Sequence, residues 1–319
     1  FDQFGKIHSP IIKGLVSPMA LNELQLENLS GQFKGIQGHS NSCYLDVVLF
    51  AMFAFTHMFD ALLNRQAESE DIPDYDEIQN VLREDIVNPL RVNLFVRADR
   101  VMKLRRLLQR SSSVKGLMSH EKDPEEFVNL LAQIMRIEPF LKFCSGENAV
   151  FHQIFVKKNK DLKFPTVQHL LEESFKESNP KLADVPSCLL IQLPRSGQKF
   201  KLYQRVLPSH TLDLTNLMGD VPKMSQHKDD VPKMHLFALV CFDTARKHFV
   251  AFVKSGVFDA PWCYYDSMAD MTDNYNIPEI VSVPNFIGFL SEKGSKLTPD
   301  MTKRILCESY ICLYQSEGR

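Results

Sequence analysis

Residues 35–50 read Gly-Ile-Gln-Gly-His-Ser-Asn-Ser-Cys-Tyr-Leu-Asp-Val-Val-Leu-Phe, and this stretch decides the fold. A polar loop with two glycines runs directly into a long apolar segment, and Cys43 lies at the join. From Cys43 to Phe59 the only charged side chains are Asp46 and, when protonated, His57. A segment that is apolar on every side is typical of a buried helix, so we predict that one begins at Cys43.

The position of Cys43 suggests chemistry. Asn41 and Ser42 precede it and are good N-cap residues. Cys43 then lies in the first helical turn, where backbone N–H groups lack partners and the helix dipole is positive. This environment favours the thiolate and predicts a nucleophile. The alternative is that Cys43 only packs in the interior, as free cysteines commonly do.

Composition narrows the class of protein. The 319 residues are 44% hydrophobic and 24% charged, enough for one large domain or two lobes. Lys+Arg 37 against Asp+Glu 39 gives a net charge of -2, which argues against a nucleic-acid partner. A basic cluster over 97–110 follows a helical pattern and is interpreted as a solvated face. No apolar stretch is long enough to span a bilayer, and no signal sequence opens the chain.

The cysteines indicate the compartment. All seven are scattered, and no Cys-x-x-Cys pair occurs. This pattern argues against a disulfide framework and a structural zinc site, and for a reducing compartment. We therefore expect a cytoplasmic protein with no metal and no cofactor. The chain begins at Phe1 without a methionine, so we expect a fragment of a longer protein.

Hydrophobic periodicity predicts an α+β fold. The N-terminal part is helical, with helices predicted over 43–59, 78–90, 101–110 and 123–136. For the last of these, Asp123 is a suitable N-cap and Pro124 a suitable first residue. Strands are predicted over 151–157, 187–193, 236–243, 248–254, 262–266 and 310–315. In addition, Asp220–Met224 recurs as Asp230–Met234, and we interpret 219–234 as an artificial linker left where an insertion was removed.

His248 and Asp266 are the expected partners of Cys43. A thiolate nucleophile needs an imidazole and a group that orients the imidazole. His248 opens one predicted strand and Asp266 closes the next, and in an antiparallel hairpin the start of one strand faces the end of the other. The alternatives are a strand-end histidine bonded to any acceptor and an ordinary Asp-Ser turn.

Five segments resemble the sequence motifs of the ubiquitin-specific proteases. They are 35–46 (the cysteine box), 122–127, 190–195, the histidine box at 248–253 with 262–267, and 309–314. The resemblance implies a papain-like cysteine protease fold with a helical thumb, a β-rich palm and reduced fingers. It places the catalytic domain at 35–319, with the thumb at about 35–145, fingers and palm at about 146–319, and an N-terminal segment at 1–34.

The same resemblance implies the activity. The protein is expected to hydrolyse the bond after the C-terminal glycine of ubiquitin, with Cys43 as nucleophile, His248 as base and Asp266 as orienting group. These motifs resemble those of one branch of the family. Members of that branch cleave 63-linked and linear (Met-linked) polyubiquitin, damp NF-κB signalling and, as full-length proteins, associate with the cytoskeleton. Asp123, Glu125 and Glu126 are candidates for contacting the basic ubiquitin tail, although helix capping explains them equally well.

One departure from the family pattern concerns the oxyanion hole. Most members carry asparagine five residues before the cysteine, where this chain has Gly38. We therefore expect the Cys43 N–H to act with Asn41 or Gln37. The paired zinc-binding cysteines of many members are also absent, which implies reduced fingers. Two alternatives stay open: a catalytically weak ubiquitin-binding module, and another Cys-His-Asp acyltransferase of transglutaminase-like or arylamine N-acetyltransferase-like type.

Overall fold

The computed structural model describes residues 4–178, 180–195, 202–219, 232–291 and 296–316. Most of the duplicated segment lies outside these residues, so the linker interpretation stays a prediction. The chain forms two compact units, Phe1–Ile137 with His248–Pro284, and Glu138–Lys247 with Asn285–Arg319. The predicted N-terminal segment falls within the first unit, as do all the predicted site residues.

The helices follow the predicted order, with additions. They are α1 (Glu23–Leu29), α2 (Cys43–Phe53), α3 (Ala61–Asn64), α4 (Tyr75–Asn80), α5 (Asn88–Asn93), α6 (Ala98–Arg110), α7 (Pro124–Met135), α8 (Val167–Ser178), α9 (Phe286–Leu290) and α10 (Pro299–Cys307). A π-helical stretch, Val81–Val87, joins α4 to α5. Every residue of α2 is buried, which confirms the prediction from its all-round apolar sequence.

The strands carry most of the second half of the chain. They are β1 (Gly31–Gln32), β2 (Gly35–Ile36), β3 (Phe95–Val96), β4 (Leu141–Lys142), β5 (Asn148–Ala149), β6 (Phe151–Gln153), β7 (Cys188–Gln192), β8 (Thr211–Asp213), β9 (Lys233–Asp243), β10 (His248–Lys254), β11 (Trp262–Thr272), β12 (Tyr275–Ser282) and β13 (Ser309–Ser316). The sequence analysis predicted β7, β9, β10 and β13 nearly at these bounds, gave β6 too long and β11 too short, and missed β12.

In the first unit an antiparallel sheet of order β1-β12-β11-β10 supports the buried helix α2. The helix packs against β10 and β11. Phe50 of α2 stacks on Tyr265 of β11 with ring centroids 4.0 Å apart. The hydroxyl of Tyr265 donates to the Ile36 carbonyl at 2.7 Å, just before the cysteine loop. Burial of these aromatic rings therefore fixes the start of α2 against the strand that carries Asp266.

In the second unit the strands run in the order β9-β13-β7-β6, with β8 beside β9. Neighbours are antiparallel except β6 and β7, which are parallel. In the part of the chain that the structure describes, no helix is long and apolar enough to cross a membrane. Nor do those residues contain a group of three or more His, Cys, Asp or Glu side chains arranged for a metal.

Asn88 of α5 holds the N-terminal segment against the rest of the first unit. Its side chain is fully buried, donates to the carbonyls of Ile12 and Gly14 at 2.7 Å, and accepts from the N–H of Val16 at 3.1 Å. Asn88→Ala leaves these backbone groups without their partner and is expected to lower the free energy of unfolding by about 2 to 3 kcal/mol.

Urea unfolding checks this prediction. The matched control is Asn93→Ala, since Asn93 lies on the same helix but is exposed, and its replacement should change stability by less than about 0.5 kcal/mol. Limited proteolysis should also cleave the segment before Ala20 sooner in the Asn88 variant. Equal unfolding free energies for the two variants would contradict the anchoring role.

Candidate active site

Cys43 is the first residue of α2, and its side chain is buried, with only 4% of the residue exposed. Its sulfur accepts hydrogen bonds from the backbone N–H groups of Phe249 and Tyr44. Phe249 directly follows His248 in β10. The fold therefore places the sulfur beside the backbone of the strand that carries the histidine.

Burial favours the thiol form of Cys43. It raises the pKa of Cys43 to about 12, and the carboxyl groups of Asp46 and Glu121 act in the same direction when they are ionised. The N–H groups of Phe249 and Tyr44 favour the thiolate but are outweighed by burial. The N–H groups act in the direction expected from the helix start, but burial acts against them, because loss of water costs the anion more than these groups return.

His248 and Asp266 form a buried pair. The Nε2 atom of His248 lies 2.6 Å from Oδ1 of Asp266, and the two residues are only 5% and 1% exposed. The N–H of Met268 donates to the same Oδ1 at 2.8 Å and fixes the carboxylate. Because Nε2 faces the carboxylate, Nδ1 is the ring nitrogen left for a proton from the sulfur.

The pairing of the two residues is diagonal. The β10–β11 ladder pairs Ala251 with Tyr265. Continued by one residue, it sets Val250 opposite Asp266, so His248 is a diagonal neighbour on the same face of the sheet. The prediction that the hairpin brings them together holds, but the expected direct opposition is wrong by two residues.

The loop before Cys43 is hydrogen-bonded to β11 and β12 next to an irregularity in their pairing. The β11–β12 register shifts between Asp266 and Asp270. Within this stretch the carbonyl of Ser267 accepts from the N–H of Gly38 at 2.9 Å. The side-chain amide of Asn276 donates to the Gly38 carbonyl at 2.9 Å. The loop before the cysteine is thus bonded to the strands on either side of the shift.

The comparisons with known proteins agree with this geometry. Residues 34–275 match the family model described as "Ubiquitin carboxyl-terminal hydrolase". The chain belongs to the ubiquitin carboxyl-terminal hydrolase family. Its members are cysteine proteases, and the chain has the features of a ubiquitin-specific protease catalytic domain.

Relatives are similar over nearly the whole chain. The ubiquitin carboxyl-terminal hydrolase CYLD of Mus musculus is 37% identical over 390 aligned residues, covering 98% of this chain and 41% of the relative. The Homo sapiens protein of the same name is 36% identical, covering 98% of this chain and 40% of its own. The chain therefore spans about two fifths of these relatives. Because the alignments exceed the 319 residues, the relatives contain internal residues that this chain lacks.

Solved structures confirm the predicted papain-like α+β fold. The Ubp8/Sgf11/Sus1/Sgf73 deubiquitinase module bound to ubiquitin aldehyde matches with a TM-score of 0.53 and 14% identity, covering 89% of this chain and 70% of the other. A Ubp8 module bound to monoubiquitin matches with a TM-score of 0.51 and 13% identity, covering 96% and 72%. At 13% and 14% sequence identity, these two similarities show a shared fold and nothing more.

Neither candidate side chain for the family's oxyanion donor is free in the structure. Gln37 is buried; its Nε2 donates to the Asn276 carbonyl at 2.9 Å and its Oε1 accepts from the N–H of Ala98 at 3.1 Å. The amide of Asn41 is exposed and donates to the Ser119 carbonyl at 2.9 Å. In the structure the Gln37 amide holds the loop and the Asn41 amide bonds a protein acceptor, so the assignment of either side chain as oxyanion donor stays a prediction.

Gly38 is closely covered by neighbouring side chains. A Cβ at this position would lie 2.6 Å from Cγ and Cε of Met268 and 3.0 Å from Oγ of Ser267. Restoring the family's asparagine by Gly38→Asn is expected to lower the melting temperature by several degrees, since a crowded side chain costs about 1–3 kcal/mol. It should not raise kcat.

Met268 supplies the control for this prediction. In the double variant Gly38→Asn with Met268→Ala the crowding is relieved, so the melting temperature should partly recover. Calorimetry of both variants decides the matter. A Gly38→Asn protein as stable as the wild type, with a higher kcat, would show that the position accepts a side-chain donor.

Asp46 is a buried carboxylate that sequence reasoning did not assign to the site. Its Oδ2 accepts from the Ser42 hydroxyl at 2.6 Å, and Ser42 Oγ accepts from the N–H of His39 at 2.9 Å. Ser42 is thus the N-cap residue, but its side chain bonds to Asp46 and not to the helix N–H groups. Burial raises the pKa of Asp46 to about 8, although the Ser42 hydroxyl and the charge of Arg105 oppose the shift. The sequence feature that could have indicated Asp46 is a single acidic residue in an otherwise apolar helix.

The three acidic candidates lie at the start of α7. Asp123 caps the helix, as predicted, by accepting from the N–H of Glu125 at 2.8 Å, and Pro124 follows as the first helical residue. Glu126 is exposed and lies 3.4 Å from Lys122. Glu125 and Glu126 both belong to the first turn, where negative charge stabilises the helix.

Proposed function

We propose that this chain is a deubiquitinase that hydrolyses the bond after the C-terminal glycine of ubiquitin by a Cys-His-Asp thiol mechanism. The observation that carries the proposal is the buried His248–Asp266 contact of 2.6 Å, formed on the strand whose next residue, Phe249, bonds the Cys43 sulfur. Membership in the family supports the reaction class, and the geometry supports the choice of residues.

The reaction follows from these positions. Nδ1 of His248 takes the thiol proton as the Cys43 sulfur attacks the carbonyl carbon, forming a tetrahedral oxyanion. Asp266 stabilises the imidazolium through Nε2. The imidazolium then protonates the leaving amine as the C–N bond breaks, leaving a thioester. Water, deprotonated by His248, attacks the thioester, and the sulfur leaves to regenerate the thiol.

Specificity must arise away from the sulfur. A substrate that ends in glycine offers no side chain there, so affinity comes from a broad surface on the folded ubiquitin body. We infer that Asp123, Glu125 and Glu126 add charge complementarity to its basic tail. From the similarity to CYLD we further propose that the substrates are 63-linked and linear polyubiquitin. We also propose a negative role in NF-κB signalling, a cytoplasmic location and, in a longer protein, cytoskeletal association.

The two glutamates provide a test of substrate binding. Glu125→Gln with Glu126→Gln is expected to raise KM about 3- to 10-fold with kcat nearly unchanged, because rim charges act on ground state and transition state alike. The effect should shrink as salt rises. The matched control is Glu173→Gln on α8, a partly exposed acid in the other unit that pairs with Lys176 at 2.7 Å. An unchanged KM would leave Glu125 and Glu126 as helix-stabilising residues only.

Hydrolysis of ubiquitin carrying a fluorogenic amide on its last glycine tests the activity itself. The wild type should release the fluorophore and Cys43→Ala should not. If both proteins bind ubiquitin and neither releases the fluorophore, the chain is a ubiquitin-binding module. A panel of diubiquitins with every linkage then tests the preference, with 63-linked and linear chains expected to be cleaved first.

A further inference from the structure

Arg105 of α6 is a buried cation that bonds backbone carbonyls. The residue is 1% exposed. Its Nη1 and Nη2 donate to the carbonyls of His39 and Ser40, each at 3.0 Å, and its Nε donates to the carbonyl of Leu117. Among the described residues the guanidinium group forms no ion pair within 4.0 Å. Burying a charge outside a close ion pair is costly, so its three carbonyl partners call for an explanation beyond packing.

Two of those carbonyls belong to the loop that leads into Cys43. The described peptide bonds are all trans, and in a trans peptide the C=O and N–H groups point in opposite directions. Holding the His39 and Ser40 carbonyls toward Arg105 therefore turns the N–H groups of Ser40 and Asn41 away from it. Neither N–H donates to any atom in the described part of the chain, and both residues are exposed.

The backbone conformation of the loop gathers these N–H groups. Ser40 and Asn41 are left-handed, with φ of 49° and 58°, and Ser42 is right-handed, with φ of -82°. Such an alternation of hand turns consecutive N–H groups toward one concavity that binds anions. Left-handed conformations at non-glycine residues are strained and persist only where the surroundings impose them. The two hydrogen bonds from Arg105 to the His39 and Ser40 carbonyls supply such a constraint.

We propose that the N–H groups of Asn41, Ser42 and Cys43 form the oxyanion hole and that Arg105 is the positioning residue that holds them. The inference rests on the proposed thiol mechanism and deepens it. A backbone concavity replaces the family's asparagine side chain, for which the contacts of Gly38 leave no room. Arg105 does not touch the substrate; it acts through the peptide groups on either side of Ser40.

Arg105→Lys separates this role from a merely structural one. Lysine keeps the charge but lacks the planar fork that bonds three carbonyls. We expect kcat on the ubiquitin amide to fall about 100-fold, the loss typical of a missing oxyanion donor, with KM changed less than about threefold. Alkylation of Cys43 by chloroacetamide should proceed at nearly the wild-type rate, since displacement at a saturated carbon develops no oxyanion. The control is Arg106→Lys, the exposed neighbour on the same helix.

Ubiquitin aldehyde provides a second readout that needs no stable variant. The Cys43 sulfur adds to the aldehyde carbon, the thiol proton passes to the oxygen, and the resulting oxygen occupies the oxyanion position. In the wild type the amide proton resonances of Asn41 and Cys43 should move downfield in this adduct. The same two resonances should not move downfield in the chloroacetamide adduct mixed with free ubiquitin.

The outcomes are distinguishable. No hydrolysis by the wild type overturns the proposed function. Hydrolysis by the wild type with an unchanged kcat in Arg105→Lys, or with no movement of the two amide resonances in the aldehyde adduct, overturns the oxyanion assignment alone. An equal loss of alkylation and hydrolysis in Arg105→Lys reduces Arg105 to a structural residue.

Discussion

Replacing His248 by alanine is expected to lower kcat on a ubiquitin amide about 10⁴-fold at pH 7.5. The reason is the buried state of the nucleophile. With the pKa of Cys43 at about 12, only about 1 in 30,000 thiols is ionised at pH 7.5. Without an imidazole to take the proton in the attack itself, the reaction depends on that small fraction.

The pH profile makes the prediction sharper. Since burial raises the pKa of Cys43, the thiolate population rises about tenfold for each pH unit below that value. The residual activity of His248→Ala should follow this slope from pH 7 to the limit of its stability. The wild type should not, because His248 removes the proton. Stopped assays at fixed ionic strength measure both profiles.

His57→Ala is the matched control, since His57 is an exposed residue that follows α2 and its ring bonds the Asp60 carboxylate at 3.0 Å. Its kcat should equal that of the wild type. A loss of less than about tenfold in His248→Ala, or a flat pH profile, would mean that another group accepts the thiol proton.

The second large effect concerns stability and Asp46. Burial raises the pKa of this carboxyl from its ordinary range to about 8. Between those values the folded protein binds a proton that the unfolded chain has released. The stability contributed by the neutral carboxyl is therefore complete at acid pH and is lost as pH rises toward 8, by about 1.4 kcal/mol per pH unit.

Asp46→Asn removes this dependence, because asparagine stays neutral and its oxygen can still accept from Ser42. Relative to the wild type, the variant should gain several kcal/mol of unfolding free energy between pH 5 and pH 8.5. Urea unfolding at a series of pH values measures the gain. The control is Asp76→Asn, an exposed acid on α4. A difference between variant and wild type that stays constant with pH would show that Asp46 is not held neutral by burial.

The sequence predicted those parts of the fold that depend on local pattern. The all-round apolar α2, the capped α7 and the strands β7, β9, β10 and β13 all follow from periodicity and cap chemistry. Helix α8 was missed although its buried residues Val167, Leu170, Leu171 and Phe175 follow helical spacing. Strand β12 was missed because its residues are mixed in polarity and are held by neighbours distant in sequence. The register shift after Asp266 is likewise invisible, since it depends on pairing with β12.

The candidate site was predictable in composition but not in environment. Cys43, His248 and Asp266 could be chosen from chain order and hairpin topology. The raised pKa of Cys43 could not be predicted from the sequence, because it depends on how completely other elements cover α2. Arg105 was predicted to belong to a solvated basic face, yet its guanidinium group is buried against His39, 66 residues earlier in the chain. Gly38 was recognised as a departure, and only its contact with Met268 explains it.

Mapping the adduct with ubiquitin that carries a thiol-reactive group at its C-terminus tests the central claim most directly. The chain has seven cysteines, so mass spectrometry of the digested adduct identifies which one reacts. The account predicts one ubiquitin per chain, attached to Cys43, and no adduct in Cys43→Ala. An adduct at another cysteine, or one that persists in Cys43→Ala, would contradict it.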